Sequence, residues 1–196
     1  MPLSPAAERE HKHTRVVECK GYRRADGLWD IEGHITDRKT YDFSSDARGD
    51  VPAGVPVHEM WLRLTVDNAF TVQAVEAVTD YAPFPSTCPQ IAPDYTKLVG
   101  LTIGPGWTKA VKERMGGING CTHLTELLGP VATTAFQTIY PILTKEARDR
   151  KAAAGQDTAP GKFPLLNTCH GFRADGDVVK KLAPAFYTGN KEPEKT

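Results

Sequence analysis

The sequence predicts an α+β fold, with antiparallel β-hairpins in the N-terminal half packed against helices in the C-terminal half. Three observations carry that prediction. Runs of alternating apolar and polar residues recur before residue 80, turn dipeptides divide those runs into pairs, and beyond Gly104 the apolar positions take helical spacing.

The first hairpin joins Thr14–Tyr22 to Leu28–Tyr41 through Ala25-Asp26-Gly27, because Asp-Gly accepts the backbone angles that a tight hairpin turn demands. In its second arm Trp29, Ile31, Gly33 and Ile35 share one face, while Asp30, Glu32, His34 and Thr36 share the other. Residues 42–56 hold too many Ser, Gly and Pro for regular structure and read as a loop. In the second hairpin His58, Met60, Leu62, Leu64 and Val66 alternate with Glu59, Trp61, Arg63, Thr65 and Asp67. After Asp67-Asn68 the partner strand runs from Phe70 to Thr79. His58 thus stands in line with four apolar side chains at the start of its strand.

Pro83, Pro85, Pro89 and Pro93 surround Cys88, which excludes a helix or a central strand over residues 80–93 and leaves ordered coil. A short helix is predicted over Thr108–Met115, between Gly104-Pro105-Gly106 and Gly116-Gly117. A longer one begins near Thr122, with Leu124, Leu127, Leu128, Val131, Ala135 and Ile139 on one stripe, and Gly129-Pro130 predicts its division into two stacked pieces. Lys145–Lys162 reads as a solvated helix end and linker, and Phe163–Leu182 as a returning hairpin around Asp175-Gly176. With a flexible arm over 1–14 and a flexible tail over 187–196, residues 15–186 read as a single domain.

Lys and Arg number 24 and so do Asp and Glu, so no net charge draws the chain to nucleic acid or an anionic membrane. The most apolar stretch, Leu127–Leu143, is broken by Gly129, Pro130, Gln137 and Pro141 and falls short of a membrane span. Cys19, Cys88, Cys121 and Cys169 are widely spaced, as free thiols of a reducing compartment are. A cytoplasmic protein acting on a small molecule is expected, and an exposed hairpin edge makes a symmetric homodimer the expected assembly.

Two clusters could carry chemistry. In the first, three glycines in Gly116-Gly117-Ile118-Asn119-Gly120 deliver Cys121 to a helix N-terminus, where unpaired N–H groups favour a thiolate. His123 follows two residues later. His58, beside an irregular loop, is placed where a ligand or general base is accessible, Asp80 ends the partner strand, and Cys88 could complete a mixed Cys, His and Asp set suited to zinc or iron. The plain alternative is that Cys121 lies on the apolar stripe as a small buried hydrophobe. In the second cluster His34, Asp37, Lys39 and Tyr41 fall within eight residues and could supply acid–base groups. Strict alternation sets His34 opposite Asp37, Lys39 and Tyr41 unless a bulge intervenes.

The stretches Asp26-Gly27-Leu28-Trp29-Asp30-Ile31-Glu32-Gly33-His34, His58-Glu59-Met60-Trp61-Leu62-Arg63-Leu64-Thr65-Val66-Asp67, Ile103-Gly104-Pro105-Gly106-Trp107 and Gly120-Cys121-Thr122-His123-Leu124 through Gln137 together resemble a bacterial family of uncharacterised proteins, domain of unknown function 2889. The resemblance covers roughly residues 15 to 182, and Glu59 departs from the Asp expected after the histidine. A second likeness is to the NifU/IscU-type iron–sulfur scaffold proteins, where a hairpin precedes helices and a ligand cysteine opens a helix. That likeness implies a NifU/IscU-like fold and sets His58 where those scaffolds have an acidic ligand. The chain departs from them in placing only Cys88 and Cys121 where they present three cysteines.

The expectation is a zinc- or iron-dependent lyase or hydrolase acting on a small acidic or aromatic metabolite. Cys121, His58 and Asp80 would hold the metal, with His123 or Cys88 as further ligands. Two alternatives stand beside it: a non-catalytic metal or iron–sulfur carrier, and a metal-free acid–base enzyme built on His34, Asp37, Lys39 and Tyr41.

Overall fold

A computed structural model describes residues 3–158 and 162–189. The chain forms two compact units, Met1–Lys145 and Glu146–Thr196.

The first unit is built on a four-stranded antiparallel sheet of β1 (His13–Arg23), β2 (Trp29–Lys39), β5 (Pro56–Val66) and β6 (Val72–Tyr81), in the order β1-β2-β5-β6. These are the two expected hairpins laid side by side. Strand β1 starts at His13, inside the stretch expected to be a flexible arm. The predicted loop over 42–56 holds a small separate hairpin of β3 (Phe43–Ser45) and β4 (Gly49–Val51), whose Gly49 takes the positive φ its turn requires.

One face of the sheet is buried. Trp29, Ile31, Ile35, Met60, Leu62, Leu64, Val66 and Val72 are almost wholly inaccessible and join Leu124, Leu127, Leu128, Val131, Ala135 and Ile139 of a long helix in one core. That helix, α2 (Thr122–Ala153), lies close on the sheet: a Cβ added at Gly33 would stand 2.6 Å from the Val131 methyl, and one at Gly21 would collide with Thr138. Helix α1 (Trp107–Met115) matches its prediction and contributes Trp107, Val111 and Met115 to the same core.

Two expectations for this unit are overturned. Helix α2 is continuous through Gly129-Pro130 and Pro141, where two stacked pieces were expected. Gly129, Pro130 and Pro141 all lie on its exposed side. The carbonyls that lose an N–H partner there can bond water, while the buried stripe holds the two halves in line. Residues 88–98 form a 3-10 helix that takes in the end of the stretch, up to residue 93, where coil was expected. Ala92, Tyr95 and Leu98 are its buried residues, and their spacing of three matches the three-residue turn of a 3-10 helix, which tolerates Pro89 in its first turn.

In the second unit the expected hairpin over Phe163–Leu182 is also overturned. The segment forms turns, a 3-10 turn over His170–Phe172 and α3 (Asp177–Leu182). Asp175 is engaged by Arg173 at 2.7 Å and Gly176 leads directly into α3, so Asp175-Gly176 opens a helix and does not turn a hairpin. Asn167 adopts a positive φ and its side chain accepts the Ala174 N–H, which folds the segment back on itself. Of the tail predicted over 187–196, residues 190–196 lie outside the described residues. Among the described residues no helix is long and apolar enough to cross a membrane.

Candidate functional site

The pairing register of the sheet sets Arg15 of β1 beside Asp37 of β2, and Asp37 beside His58 of β5. Asp37 ends the inward series of Trp29, Ile31, Gly33 and Ile35, just before a register shift between Asp37 and Arg38. Its side chain is 1% exposed. A carboxylate so buried needs partners, and the row supplies them. The Arg15 guanidinium donates through Nε to Oδ1 at 2.8 Å and through a terminal nitrogen to Oδ2 at 2.9 Å, the bidentate arrangement. His13 Nε2 lies 2.8 Å from Oδ1 and His58 Nδ1 lies 3.1 Å from Oδ2. From α2, His123 brings Nε2 to 4.0 Å of Oδ2 and lays its ring against that of His58, centroids 3.7 Å apart and planes inclined by 30°. Glu126, one turn along α2, accepts the remaining Arg15 terminal nitrogen at 2.7 Å.

Burial alone pushes the Asp37 carboxyl up. The hydrogen bonds from Arg15 and His13, with the attraction of Arg15 and His58, outweigh it and hold the group down at about 2. Asp37 is therefore an acceptor only, and in the metal-free site His58 Nδ1 carries the proton that faces it, a proton that an ion bound between the two groups would displace. Burial lowers the His58 imidazole, as does the neighbouring His123, with Asp37 opposing; burial and Arg15 lower His123. Both rings are neutral at pH 7, and each keeps a lone pair.

One donor atom from each of Asp37, His58 and His123 lies within 4.8 Å of the others, a group of three able to hold a metal ion. Neighbouring ligands of a tetrahedral zinc bonded at about 2.0–2.1 Å stand roughly 3.4 Å apart. The 3.1 and 4.0 Å separations at Oδ2 bracket that distance. Two neutral imidazoles and an ionised carboxylate suit zinc or ferrous iron, and Arg15 and His13 form the outer hydrogen bonds that orient such a carboxylate.

His58 and His123 line a cavity of about 560 Å³ together with Met60, Phe84, Cys88, Ile91, Ile118 and Cys121, among others. The central hairpin and the glycine-introduced thiol thus meet in one pocket. Of the five predicted metal ligands, His58 and His123 join the donor group, while Cys88 and Cys121 line the cavity outside it. The Cys121 sulfur sits 3.8 Å from that of Met60, and its backbone N–H is bonded to the buried Tyr95 hydroxyl. Asp80 is on the other face of the sheet, accepting the Trp61 indole N–H at 3.0 Å.

The second predicted cluster is not assembled. His34 stacks on Trp61 at 3.5 Å and contacts Glu59, on the face opposite Asp37. Lys39 lies over the Tyr41 and Phe43 rings. Asp37 alone of the four reaches the donor group. Sequence reasoning missed His13 and Arg15. The available signal was Asp37 itself, an acid in phase with a buried face, which calls for cations on the neighbouring strands.

A family profile described as protein of unknown function (DUF2889) matches residues 13–137. The chain belongs to that family. The DUF2889 region begins at His13 and takes in Arg15, Asp37, His58, His123 and Glu126, so every residue of the donor group and its hydrogen-bonded surround falls within it. No curated protein and no solved structure matches the chain.

Proposed function

We propose that this DUF2889 protein is a metal-dependent enzyme, a lyase or hydrolase holding one zinc or iron ion with Asp37, His58 and His123 and acting on a small metabolite. The observation that carries the reading is the convergence of three donor atoms within 4.8 Å, two of them from rings that line a cavity. An ion so bound polarises a substrate oxygen or activates water. The chain's own residues do the rest: Arg15 and His13 fix the carboxylate, Glu126 fixes Arg15, and the cavity beside the rings receives the substrate.

Elemental analysis of untagged protein tests this. About one equivalent of zinc or iron is expected, lost in His58→Ala and in His123→Ala and retained in Cys121→Ala. Protein free of metal, or metal retained in both histidine variants, refutes the assignment.

One observation favours a second reading. The Asp37 oxygens already accept four hydrogen bonds, and a proton on His58 Nδ1 leaves the other ring nitrogen as a base, oriented by a buried carboxylate. That is a metal-free acid–base site, and its activity would survive exhaustive chelation, whereas the metal enzyme's would not.

A further inference from the structure

The lining of the cavity beside the histidines carries no formal charge beyond what the two rings can take up. Among the described residues that line it there is no Asp, Glu, Lys or Arg. Arg15, which acts on both rings, is committed to Asp37 and Glu126 and is not part of the wall. Away from the rings, Met60, Phe84, Ile91 and Ile118 with the two thiols form the apolar part of the wall, beside the uncharged polar side chains of Thr87, Gln90 and Thr122. Ile118 is 99% exposed and Phe84 59% exposed, so the rim holds two large apolar side chains out in water. Exposed apolar side chains beside a concave polar group mark a surface that a ligand covers.

Resting on the functional reading above, we propose that the cavity takes a small molecule with an apolar, aromatic body and a single polar end. The polar end meets His58 and His123, and the body lies between Phe84, Ile91 and Ile118. Charge complementarity decides the class. An ion held by Asp37, His58 and His123 meets one anionic end, but a polyanion such as a phosphorylated metabolite would carry its remaining charges into a wall without cationic side chains, and a body rich in polar groups would leave most of them facing Phe84, Ile91 and Ile118. A volume of about 560 Å³ holds an aryl acid or alcohol with room to spare.

The test keeps the head group constant and varies the body. Acetate, phenylacetate and succinate are titrated into protein as purified, with labelled methyls of Met60, Ile91 and Ile118 followed by NMR. Phenylacetate is expected to bind at least about 10-fold more tightly than the other two, as removal of a phenyl ring from water implies, and to shift all three methyls. Ile118→Ser, at a position too exposed to affect folding, should weaken phenylacetate several-fold and leave acetate unchanged. Equal affinity for the three probes, or tighter binding of succinate, overturns the inference. So do rim methyls that respond to protein concentration and not to the probe, since the occupant would then be a second copy of the chain. Elemental analysis separates the two claims. Metal without aryl selectivity overturns this inference alone, and aryl selectivity without metal supports it while removing the metal.

Discussion

Replacing Asp37 by Asn removes a charge with almost no change of shape, which makes it the most discriminating perturbation of this molecule. Holding the carboxyl at about 2, against its ordinary 3.8, corresponds to roughly 2.5 kcal/mol of folding free energy at neutral pH, by about 1.4 kcal/mol per pKa unit. Severing a buried ion pair costs about 3–5 kcal/mol when the partner stays buried. Arg15 keeps 37% of its side chain in contact with solvent and Glu126 as a second partner, so the expected loss for Asp37→Asn is nearer 2–3 kcal/mol. The sign of the pH dependence follows from the lowered pKa. The contribution is complete well above 3.8 and is lost as pH falls toward 2, with about 1 kcal/mol already gone at pH 3. Urea denaturation of both proteins from pH 7 to pH 3 should show the variant less stable at pH 7 and the gap nearly halved at pH 3. A gap that is absent at pH 7, or one that stays constant down to pH 3, would refute the account of Asp37 as a buried, cation-held carboxylate.

Other outcomes are expected from the same structure. Because burial lowers both His58 and His123, metal affinity should hold steady from pH 8 to below 6.5 and then fall by up to about 100-fold per pH unit as two protons compete; competition with a chromogenic chelator measures it, and a decline that begins above 6.5 contradicts the assignment. The same lowered values weaken the fold as pH drops below 6.5, because the unfolded chain takes up protons first. Gly33→Ala should cost about 1–3 kcal/mol in denaturant unfolding, since its methyl meets Val131 at 2.6 Å, and an unchanged midpoint would mean that α2 does not lie on the sheet as described. Tyr95→Phe removes the hydroxyl that receives the Cys121 N–H and lies 2.8 Å from the Thr125 hydroxyl, and should lower stability by about 1–2 kcal/mol without changing metal content.

The hairpins were legible because the sheet has one buried face, so alternation in Trp29–Ile35 and His58–Val66 records burial directly. The same rule carried His58 to the inner face and His34 to the outer one. Three readings failed for local reasons. Pro130 breaks a helix only if its surroundings cannot satisfy the freed carbonyl, and an exposed face satisfies it. The prolines of 88–98 exclude an α-helix but not a 3-10 helix. Asp175-Gly176 is as good a helix opening as a hairpin turn. For the site, His58 and His123 were visible as residue types near irregular backbone. Sequence proximity groups Asp37 with His34, Lys39 and Tyr41, whereas its phase with the buried residues sets it on the inner face beside His58. Asp80 failed by the same criterion, since its side chain bonds Trp61 on the outer face. Arg15 and His13 were beyond reach because only the pairing of β1 with β2 makes them neighbours of Asp37.

The donor group takes one residue each from β2, β5 and α2, and β1 supplies the guanidinium that braces it. No stretch of unfolded chain can reproduce that assembly, so what it captures binds the native state in preference to the unfolded one. An occupant present at a hundred times its dissociation constant would therefore add up to about 2.7 kcal/mol to the free energy of unfolding, less whatever the unfolded chain's own His and Cys bind. Melting temperature becomes a readout of chemistry: heating the protein beside a panel of metal salts and aryl acids would reveal its natural ligands as the compounds that delay the transition.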